Sequence, residues 1–404
     1  MRRTVRYSSY CTAPKITTSI TIFHSHAPIC YNILDTFVAK GELMKFYMPV
    51  RVFDENDCVK NHSAELFSFG QKALIVTGKR SALSNGSFDD VADVLRENHI
   101  EFTVFSEVEE NPSVETVFAA KEKALSEGID FVIGIGGGSA MDAAKAIALV
   151  LAHPKYSLED LYDRSKDPSA LPVICVPTTC GTGSEVTGVS VLTRHDRKTK
   201  ISMVHKVFPA LALIDGKYLR SAPHSLIAGS SVDALSHLYE SMLNAKADDY
   251  VRMTATEGLR IWAKTKDCIT GKRKPSADDF ALLMRSSALA GMSIAQSGTS
   301  LPHALSYTIT YDLGLAHGYA VGYFLPGFLS IAPEAARGEL LGLSGFADLN
   351  DFDSFMSKVL DGIEVCGDEL EKTYEAVRSN PAKMGSASFD VDDDLLRKMV
   401  FQSL

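Results

Sequence analysis

From residue 70 to residue 216 short apolar runs alternate with segments of helical periodicity, and few folds accommodate such an alternation. The apolar runs lie at 72–77, 102–105, 131–135, 173–176 and 211–214. Short continuous apolar runs of this kind are typical of strands buried on both faces of a parallel sheet. Helical periodicity occupies the connections at 88–98, 114–125 and 140–151. The alternation therefore predicts a mostly parallel sheet with helices on both faces.

After about residue 217 the pattern becomes helical, over 225–243, 248–264, 276–296 and segments beyond 320. Ser276, three residues before Asp279, is a typical start of the third of these helices. A chain of 404 residues is also too long for one ordinary domain. We expect an α/β domain over 44–217 and an all-α domain over 218–404.

Residues 1–43 differ in composition from the rest of the chain. Asp35 is the first acidic residue, and basic, serine and threonine residues precede it. This composition is typical of an organellar transit peptide. The alternative is a misread start with Met44 as the true first residue, which we favour because the well-patterned sequence begins abruptly there. On either interpretation we expect 1–43 to be a disordered extension.

Composition excludes several classes of function. The net charge is −9 and no basic block offsets it, so nucleic acid is not an expected partner. No run of eighteen apolar residues occurs, which predicts no membrane span. Seven cysteines without a Cys-x-x-Cys pair favour a reducing cytoplasm over a disulfide framework.

A glycine-rich loop follows the apolar run at 131–135 and reads Gly134-Ile-Gly-Gly-Gly-Ser139. Glycines allow the backbone to approach a phosphate closely, and the start of the next helix offers free N–H groups and a positive dipole end. The spacing differs from a Walker loop and from Gly-x-Gly-x-x-Gly. A tight turn without a ligand is the alternative, but four glycines in five positions favour nucleotide binding.

A second loop, Pro177-Thr-Thr-Cys-Gly-Thr-Gly-Ser-Glu185, also follows a predicted strand and is dense in hydroxyl groups. By itself it is compatible with an ordinary polar loop. Ligands of open α/β sheets bind at the carboxyl ends of the strands, where both loops are predicted to lie. Together the two loops predict the walls of a dinucleotide cleft, so 44–217 is expected to be a dinucleotide-binding domain.

Asp233 and His237 lie four residues apart on a predicted helix, so their side chains share one face. An inward carboxylate and imidazole need a partner, because a buried charge without one is costly. A divalent metal would satisfy both, with His303 and His317 completing the ligands, and this donor set suits Fe(II) or Zn(II). The alternatives are a surface hydrogen bond for the pair and ordinary core or surface roles for the later histidines.

Taken together, these motifs resemble the iron-containing alcohol dehydrogenases (group III), most of all the branch of NADPH-dependent butanol dehydrogenases. The resemblance covers roughly 44–404. The segments that match run from 110 to 113, 134 to 145, 177 to 187, 233 to 237 and 303 to 307, and His317-Gly matches as well.

The resemblance implies a metal held by four side chains, which act in catalysis through that metal: Asp233, His237, His303 and His317. Fe(II) is the usual ion of this family and Zn(II) the alternative. Three groups of cofactor-binding residues follow as well. The residues that would contact the pyrophosphate lie in the glycine loop and the helix after it: Gly136, Gly137, Gly138, Ser139 and Asp142. Those that would line the nicotinamide side are Thr178, Thr179, Thr182 and Lys200. Asn111 and Gly78 would lie on the adenosine side.

The chain departs from the family pattern at two positions. Many members carry Asp at the end of the first strand, whereas Gly78 stands here, followed by Lys79 and Arg80. A carboxylate there would repel a 2′-phosphate, and adjacent positive charge would admit one, which predicts NADP(H) over NAD(H). Tyr307 stands where several relatives carry a further histidine, so it is expected to line the substrate pocket.

The function implied is a metal-dependent alcohol dehydrogenase or aldehyde reductase that acts on a small primary alcohol or aldehyde and forms a homodimer. One alternative is a non-redox Zn-dependent lyase or cyclase of the dehydroquinate-synthase-like fold. Such enzymes keep three protein ligands, and the fourth candidate, His317, argues against this. The others are a hydroxyacid–oxoacid transhydrogenase with a tightly bound nicotinamide, and a nucleotide-binding protein with a structural metal.

Overall fold

The computed structural model describes residues 45–401. The extension at 1–43, with its expected disorder, lies outside the described residues. In the described part of the chain, no helix has both the length and the apolar character needed to cross a bilayer.

The strands of the described residues form a large parallel sheet and a small antiparallel hairpin. The parallel sheet has the strand order β1-β8-β5-β4-β2-β3, and β6 pairs with β7 in the hairpin. The bounds are β1 Arg51–Asp54, β2 Lys72–Gly78, β3 Glu101–Val108, β4 Phe131–Gly136, β5 Val173–Pro177, β6 Val191–Arg194, β7 Thr199–Ser202 and β8 Leu211–Ile214.

The helices flank the sheet up to α6 and make up most of the chain after β8. Their bounds are α1 Cys58–Asn61, α2 Ser63–Leu66, α3 Ser81–Ser84, α4 Ser87–Glu97, α5 Val114–Ala124, α6 Gly138–Ala152, α7 His224–Met242, α8 Asp249–Ala263, α9 Lys266–Ile269, α10 Ala277–Ser297, α11 Leu301–Leu313, α12 His317–Tyr323, α13 Leu325–Ile331, α14 Glu334–Leu343, α15 Leu349–Val359, α16 Gly367–Arg378, α17 Pro381–Met384 and α18 Asp393–Phe401.

The central strands are buried on both faces, which is why they are apolar throughout. In β2, Leu74 and Val76 face one apolar core, whereas Ala73 and Ile75 face another on the opposite side of the sheet. Successive side chains of a strand point to opposite faces, so each face needs its own covering helices. The carboxyl ends of the central strands meet at one edge, and β4 and β5 lead there into the two polar loops.

In the helical half, α7 is buried along most of its length and packs against α8, α10 and α12. Trp262 of α8 is fully buried, and its indole N–H donates to the main-chain oxygen of Ser231 at 2.8 Å. A helix surrounded by other helices in this way carries polar side chains at a high desolvation cost unless they find partners. The polar residues of α7 therefore need an explanation.

The predicted fold class is confirmed: a parallel sheet with flanking helices is followed by an all-helical half. Strand β1 and the hairpin of β6 and β7 were not predicted. The described residues form one compact unit, in which the strands end at Ile214 and α7 begins at His224. The division into two domains near residue 217 stays a prediction.

Candidate metal centre and nucleotide cleft

Three helices bring one carboxylate and three imidazoles together. Asp233 and His237 lie one turn apart on α7, His303 lies on α11, and His317 begins α12. The distances from Asp233 Oδ1 to the Nε2 atoms are 3.4 Å for His303, 3.8 Å for His317 and 3.9 Å for His237. Ligands of a tetrahedral ion with bonds of about 2.1 Å lie about 3.4 Å apart, so this spacing fits a metal.

The hydrogen bonding of this cluster also fits a metal. Asp233 Oδ1, His303 Nε2 and His317 Nδ1 are buried and have no hydrogen-bond partner within the described residues. Buried polar atoms are normally satisfied, and an unmet group at a convergent site is a sign of a missing ion. One ligand atom from each of these three residues lies within 4.8 Å of the others. His237 is outside that tightest group and approaches Asp233 from the side, with its ring stacked on His303 at 4.4 Å.

The second polar loop holds His237 in place. Its Nδ1 lies 3.2 Å from the main-chain oxygen of Gly181. With Nδ1–H as the donor, Nε2 keeps its lone pair for a cation, the usual arrangement of a metal-binding histidine. A Cβ atom at residue 181 would lie 2.6 Å from the main-chain oxygen of Ser230, so only glycine lets the loop approach α7 this closely.

Burial and charge act together on the pKa values of the cluster. Burial opposes ionisation of Asp233, but the surrounding imidazoles outweigh it and lower the pKa of its carboxyl below the ordinary value. Burial lowers the pKa of His237, and it lowers the pKa of His317 to about 3, although 27% of the His317 side chain is exposed. Burial would also lower the pKa of His303, but the carboxylates of Glu240 and Asp233 outweigh it and raise that pKa to about 9. Metal binding requires neutral imidazoles, so an ion bound here would displace the proton of His303.

The two loops after β4 and β5 pack directly against each other. A Cβ atom at residue 137 would lie 3.0 Å from Thr179 Cγ2, and one at residue 138 would lie 2.8 Å from Thr182 Cγ2. Gly136 has a φ of 151°. The main-chain N–H of Thr178 donates to the oxygen of Gly136 at 2.9 Å. The glycine loop and the hydroxyl-rich loop are therefore neighbours at the carboxyl edge of the sheet, and their role as the walls of a dinucleotide cleft stays a prediction.

Asn111 connects the glycine loop to the hairpin. Its main-chain N–H donates to Ser139 Oγ at 3.1 Å, its main-chain oxygen accepts from Thr193 at 2.8 Å, and its side-chain oxygen accepts from Lys200 Nζ at 2.7 Å. Burial lowers the pKa of the Lys200 ammonium. Lys200 was expected on the nicotinamide side and Asn111 on the adenosine side, whereas this contact brings the two side chains together.

Asp142 lies on α6, and both of its carboxylate oxygens are engaged by protein groups. Oδ1 accepts from Ser184 Oγ at 2.6 Å and lies 3.4 Å from Lys145 Nζ, and Oδ2 accepts from the main-chain N–H of Val191 at 2.9 Å. Lys145 is fully buried and donates to Ser184 at 2.6 Å. These bonds join α6 to the second loop and to β6, and the predicted pyrophosphate contact at Asp142 stays a prediction.

At the carboxyl end of β2, Gly78 ends the strand and is followed by two exposed cations. Lys79 and Arg80 are both exposed, and neither makes an ion pair with any described residue. These charges lie at the edge of the sheet where the two loops lie, and the cofactor preference expected from them stays a prediction.

Sequence reasoning missed two residues of this region, Glu240 and Ser184. The structure places the Glu240 carboxylate against the ring of His303, and Ser184 between Lys145 and Asp142. A signal for Glu240 was present, because a carboxylate three residues after His237 on a buried helix lies on nearly the same face. Tyr307, which sequence reasoning did name, lies nearly parallel to His317, with the ring centroids 6.5 Å apart.

Known proteins resemble this chain over both its sheet and its helical half. The family model described as iron-containing alcohol dehydrogenase matches residues 49–216, and the model of the C-terminal part of the Fe-containing alcohol dehydrogenase family matches 227–365. The solved structure of an iron-containing alcohol dehydrogenase from Thermotoga maritima is 35% identical, with a TM-score of 0.82, and the match covers 90% of this chain and 99% of that one.

Curated relatives carry related descriptions. NADH-dependent butanol dehydrogenase A of Clostridium acetobutylicum is 31% identical over 67% of this chain and 72% of its own length. NADPH-dependent butanol dehydrogenase of Clostridium saccharobutylicum is 29% identical over 65% of this chain and 67% of its own length. Aldehyde-alcohol dehydrogenase 2 of Entamoeba histolytica is 30% identical over 71% of this chain, which spans only 34% of that longer protein.

These matches extend over both the sheet and the helical half, and at this identity and coverage they identify more than a shared fold. They do not favour the non-redox lyase alternative. The chain therefore belongs to the iron-containing alcohol dehydrogenase family of oxidoreductases, enzymes that use iron and a nicotinamide dinucleotide.

Proposed function

We propose that this enzyme transfers hydride between NADP(H) and a small primary alcohol or aldehyde. Its metal ligands in this proposal are Asp233, His237, His303 and His317. The observation that carries the proposal is the convergence of one buried carboxylate and three imidazoles, with 3.4–3.9 Å between Asp233 Oδ1 and the three Nε2 atoms. Family membership supplies the reaction class, and this convergence supports the place where the reaction occurs.

Fe(II) is the proposed ion and Zn(II) the alternative, because one carboxylate and three imidazoles suit either. Such an ion supplies Lewis-acid polarisation of a carbonyl group. The residues themselves suggest from which side a substrate arrives. Asp233 and His303 are each 3% exposed, whereas 27% of the His317 side chain is exposed, so the cluster is open on the His317 side. Tyr307, parallel to His317, is proposed to line the substrate pocket there.

The cofactor is proposed to lie across the two polar loops, at the carboxyl edge of the sheet. The first turn of α6 has no side-chain cap, so its N–H groups are available to a pyrophosphate. The backbone at Gly136, Gly137 and Gly138 can approach phosphate oxygens closely. Thr179 and Thr182 offer hydroxyl groups on the facing wall, and Lys200 adds positive charge next to Asn111.

The preference for NADP(H) rests on the end of β2. A 2′-phosphate carries close to two negative charges near neutral pH. Gly78 leaves room for it, and the exposed cations of Lys79 and Arg80 would attract it. The matched butanol dehydrogenases include NADH-dependent and NADPH-dependent forms, so the family alone leaves this choice open.

A nucleotide-binding protein with a structural metal is the remaining alternative. A structural zinc site has four protein ligands and no open position. The exposed edge at His317 favours a site that a substrate can reach over a closed one. Measurement of turnover separates the two functions.

We test the proposal with protein purified under anaerobic conditions. We expect about one equivalent of iron per chain and oxidation of NADPH that depends on added straight-chain aldehyde. The aldehyde series is assayed with NADPH and with NADH, and the metal is then removed with a chelator and restored. A protein that holds stoichiometric metal but oxidises neither cofactor with any aldehyde or alcohol would contradict the proposed function.

Two further proposals concern the assembled protein. The described cysteines are all free thiols, and four of the five are buried, which agrees with a reducing cytoplasmic location. The substrate-binding helical half is proposed to act within a homodimer, for which sedimentation analysis of the purified protein is the direct measurement.

A further inference from the structure

Glu240 is a carboxylate at the centre of the helical half. It lies on α7, three residues after His237, and none of its surface is exposed. Taking an ionised carboxylate out of water is costly unless charge and hydrogen bonds compensate for it. Burial opposes the ionisation of Glu240, but His303 and nearby donors outweigh it and lower its pKa.

Both oxygens of the Glu240 carboxylate accept hydrogen bonds from protein groups. Oε1 accepts from His303 Nδ1 at 2.5 Å and from Ser236 Oγ at 2.6 Å, while Oε2 accepts from the main-chain N–H of Ser300 at 2.5 Å. The main-chain N–H of His303 lies 3.5 Å from Oε2. The carboxylate therefore binds both the ring of His303 and the first turn of α11, the helix that carries it.

These contacts determine which nitrogen of His303 carries the proton. An acceptor at Nδ1 requires that Nδ1 be protonated, so in the neutral ring Nε2 is the nitrogen that carries the lone pair. That lone pair faces Asp233 Oδ1 at 3.4 Å, and neither atom has a hydrogen-bond partner. The opposite tautomer would place an N–H at the point where a cation has to bind.

We propose that Glu240 is a positioning residue of the metal centre. It holds His303 in the tautomer and ring orientation that leave Nε2 free to bind the ion, and its negative charge strengthens the ligand. Carboxylates that accept a hydrogen bond from a metal-binding histidine commonly act in this way. The inference rests on the proposed metal site and adds a residue that never touches the ion.

The bond to Ser300 requires a test that separates positioning from plain stability. Glu240 also anchors the start of α11, so its loss is expected to lower the thermal midpoint whether or not it orients His303. Metal affinity of the apoprotein distinguishes the two roles. A purely structural role changes the midpoint of the apoprotein and leaves the dissociation constant of the metal unchanged.

The first variant is Glu240→Gln, which keeps the shape of the side chain. Glutamine has one acceptor oxygen and an amide that donates, whereas Glu240 receives bonds on both oxygens. One of the groups that donate to Glu240 would therefore face the NH2 group of the glutamine. If that group is His303 Nδ1, the ring can move its proton to Nε2. We expect the apoprotein to bind Co(II) and Zn(II) about 10- to 100-fold more weakly in competition with a chromophoric chelator. The Co(II) absorption bands should change, and NADPH binding should not.

Two other variants complete the experiment. Ser236→Ala removes one bond to Glu240 without touching His303 and should weaken metal binding less. Tyr239→Phe is the matched control. Tyr239 lies on α7 like Glu240, and the substitution removes its buried hydrogen bond to Ser344. It should lower the thermal midpoint and leave metal affinity unchanged.

Each outcome decides a separate question. Unchanged metal affinity and Co(II) spectrum in Glu240→Gln would overturn the role of Glu240. If Glu240→Gln fails to fold, the same measurements on Ser236→Ala decide it, and wild-type affinity there overturns the role. Metal binding that survives Asp233→Ala would instead overturn the proposed metal site itself.

Discussion

A Cβ atom at residue 318 would lie 2.0 Å from the main-chain oxygen of Gly229, so α12 and α7 touch backbone to backbone at this point. Gly318 directly follows His317, and Gly229 lies one turn before Asp233. The close approach of the two helices is therefore what brings the His317 imidazole to the carboxylate. No larger residue fits at position 318 without moving α12.

Gly318→Ala should weaken the metal site by displacing His317. A ligand has to be held within about 0.5 Å of its productive position, and we expect metal affinity to fall about tenfold or more. The measurement is chelator competition on the apoprotein. Gly338→Ala in α14 is the control, because nothing lies within 4 Å of its added methyl group. That control should bind metal normally and gain up to about 1 kcal/mol of stability.

His237→Ala should abolish metal retention and turnover while leaving NADPH binding largely intact. The imidazole belongs to the proposed metal site, and its ring makes one contact with the second loop, at Gly181. Metal analysis and NADPH fluorescence titration report the two properties separately. His153→Ala, remote from the cluster and stacked on Tyr156, is the matched control. Retained metal with lost cofactor binding would contradict the assignment.

Gly78→Asp should reverse the cofactor preference. A carboxylate at the end of β2 repels a 2′-phosphate and accepts hydrogen bonds from ribose hydroxyls, so we expect kcat/KM for NADPH to fall about tenfold or more relative to NADH. Arg80→Ala should lower kcat/KM for NADPH and leave kcat/KM for NADH unchanged. Arg96→Ala, near the opposite edge of the sheet, should change neither value. A wild-type enzyme that prefers NADH would already refute the proposal.

Asp142→Ala should raise KM for both nicotinamide cofactors, by about tenfold if the loops separate by about 1 Å. The carboxylate joins α6 to the second loop through Ser184 and to β6 through Val191, and without it these elements lose their common partner. Metal content should stay unchanged. Asp93→Ala, on the exposed surface of α4, is the control. Equal KM values in the Asp142 variant and the wild type would show that these bonds do not shape the cleft.

Stability in acid should depend on Asp279 at the start of α10. The Arg273 guanidinium lowers the pKa of the Asp279 carboxyl, and Ser276 lowers it further. An unfolded Asp has a pKa of about 3.9, so the folded form gains stability above that pH and loses it as the pH falls. Asp279→Asn should cost about 1 kcal/mol at pH 7. The difference in thermal midpoint from the wild type should shrink from about pH 5 downward, and a difference that does not depend on pH would contradict this account.

Periodicity along the chain predicted most of the architecture. Strands β2, β4, β5 and β8 are apolar on both faces, so their local sequence marks them wherever they pair. Strand β1 and the hairpin of β6 and β7 are short and partly exposed, and their pattern is too weak to be recognised before their partners are known.

The sequence by itself determined the order of strands and helices, the two polar loops and the four candidate ligands, because spacing between near neighbours encodes them. Only the tertiary structure decided that Lys200 meets Asn111 across 89 residues and that Glu240 meets His303 across 63. Side chains so far apart in the chain carry no periodicity that relates them. They meet because the helices and loops that carry them pack in one relative position and orientation. Local sequence patterns do not determine that arrangement.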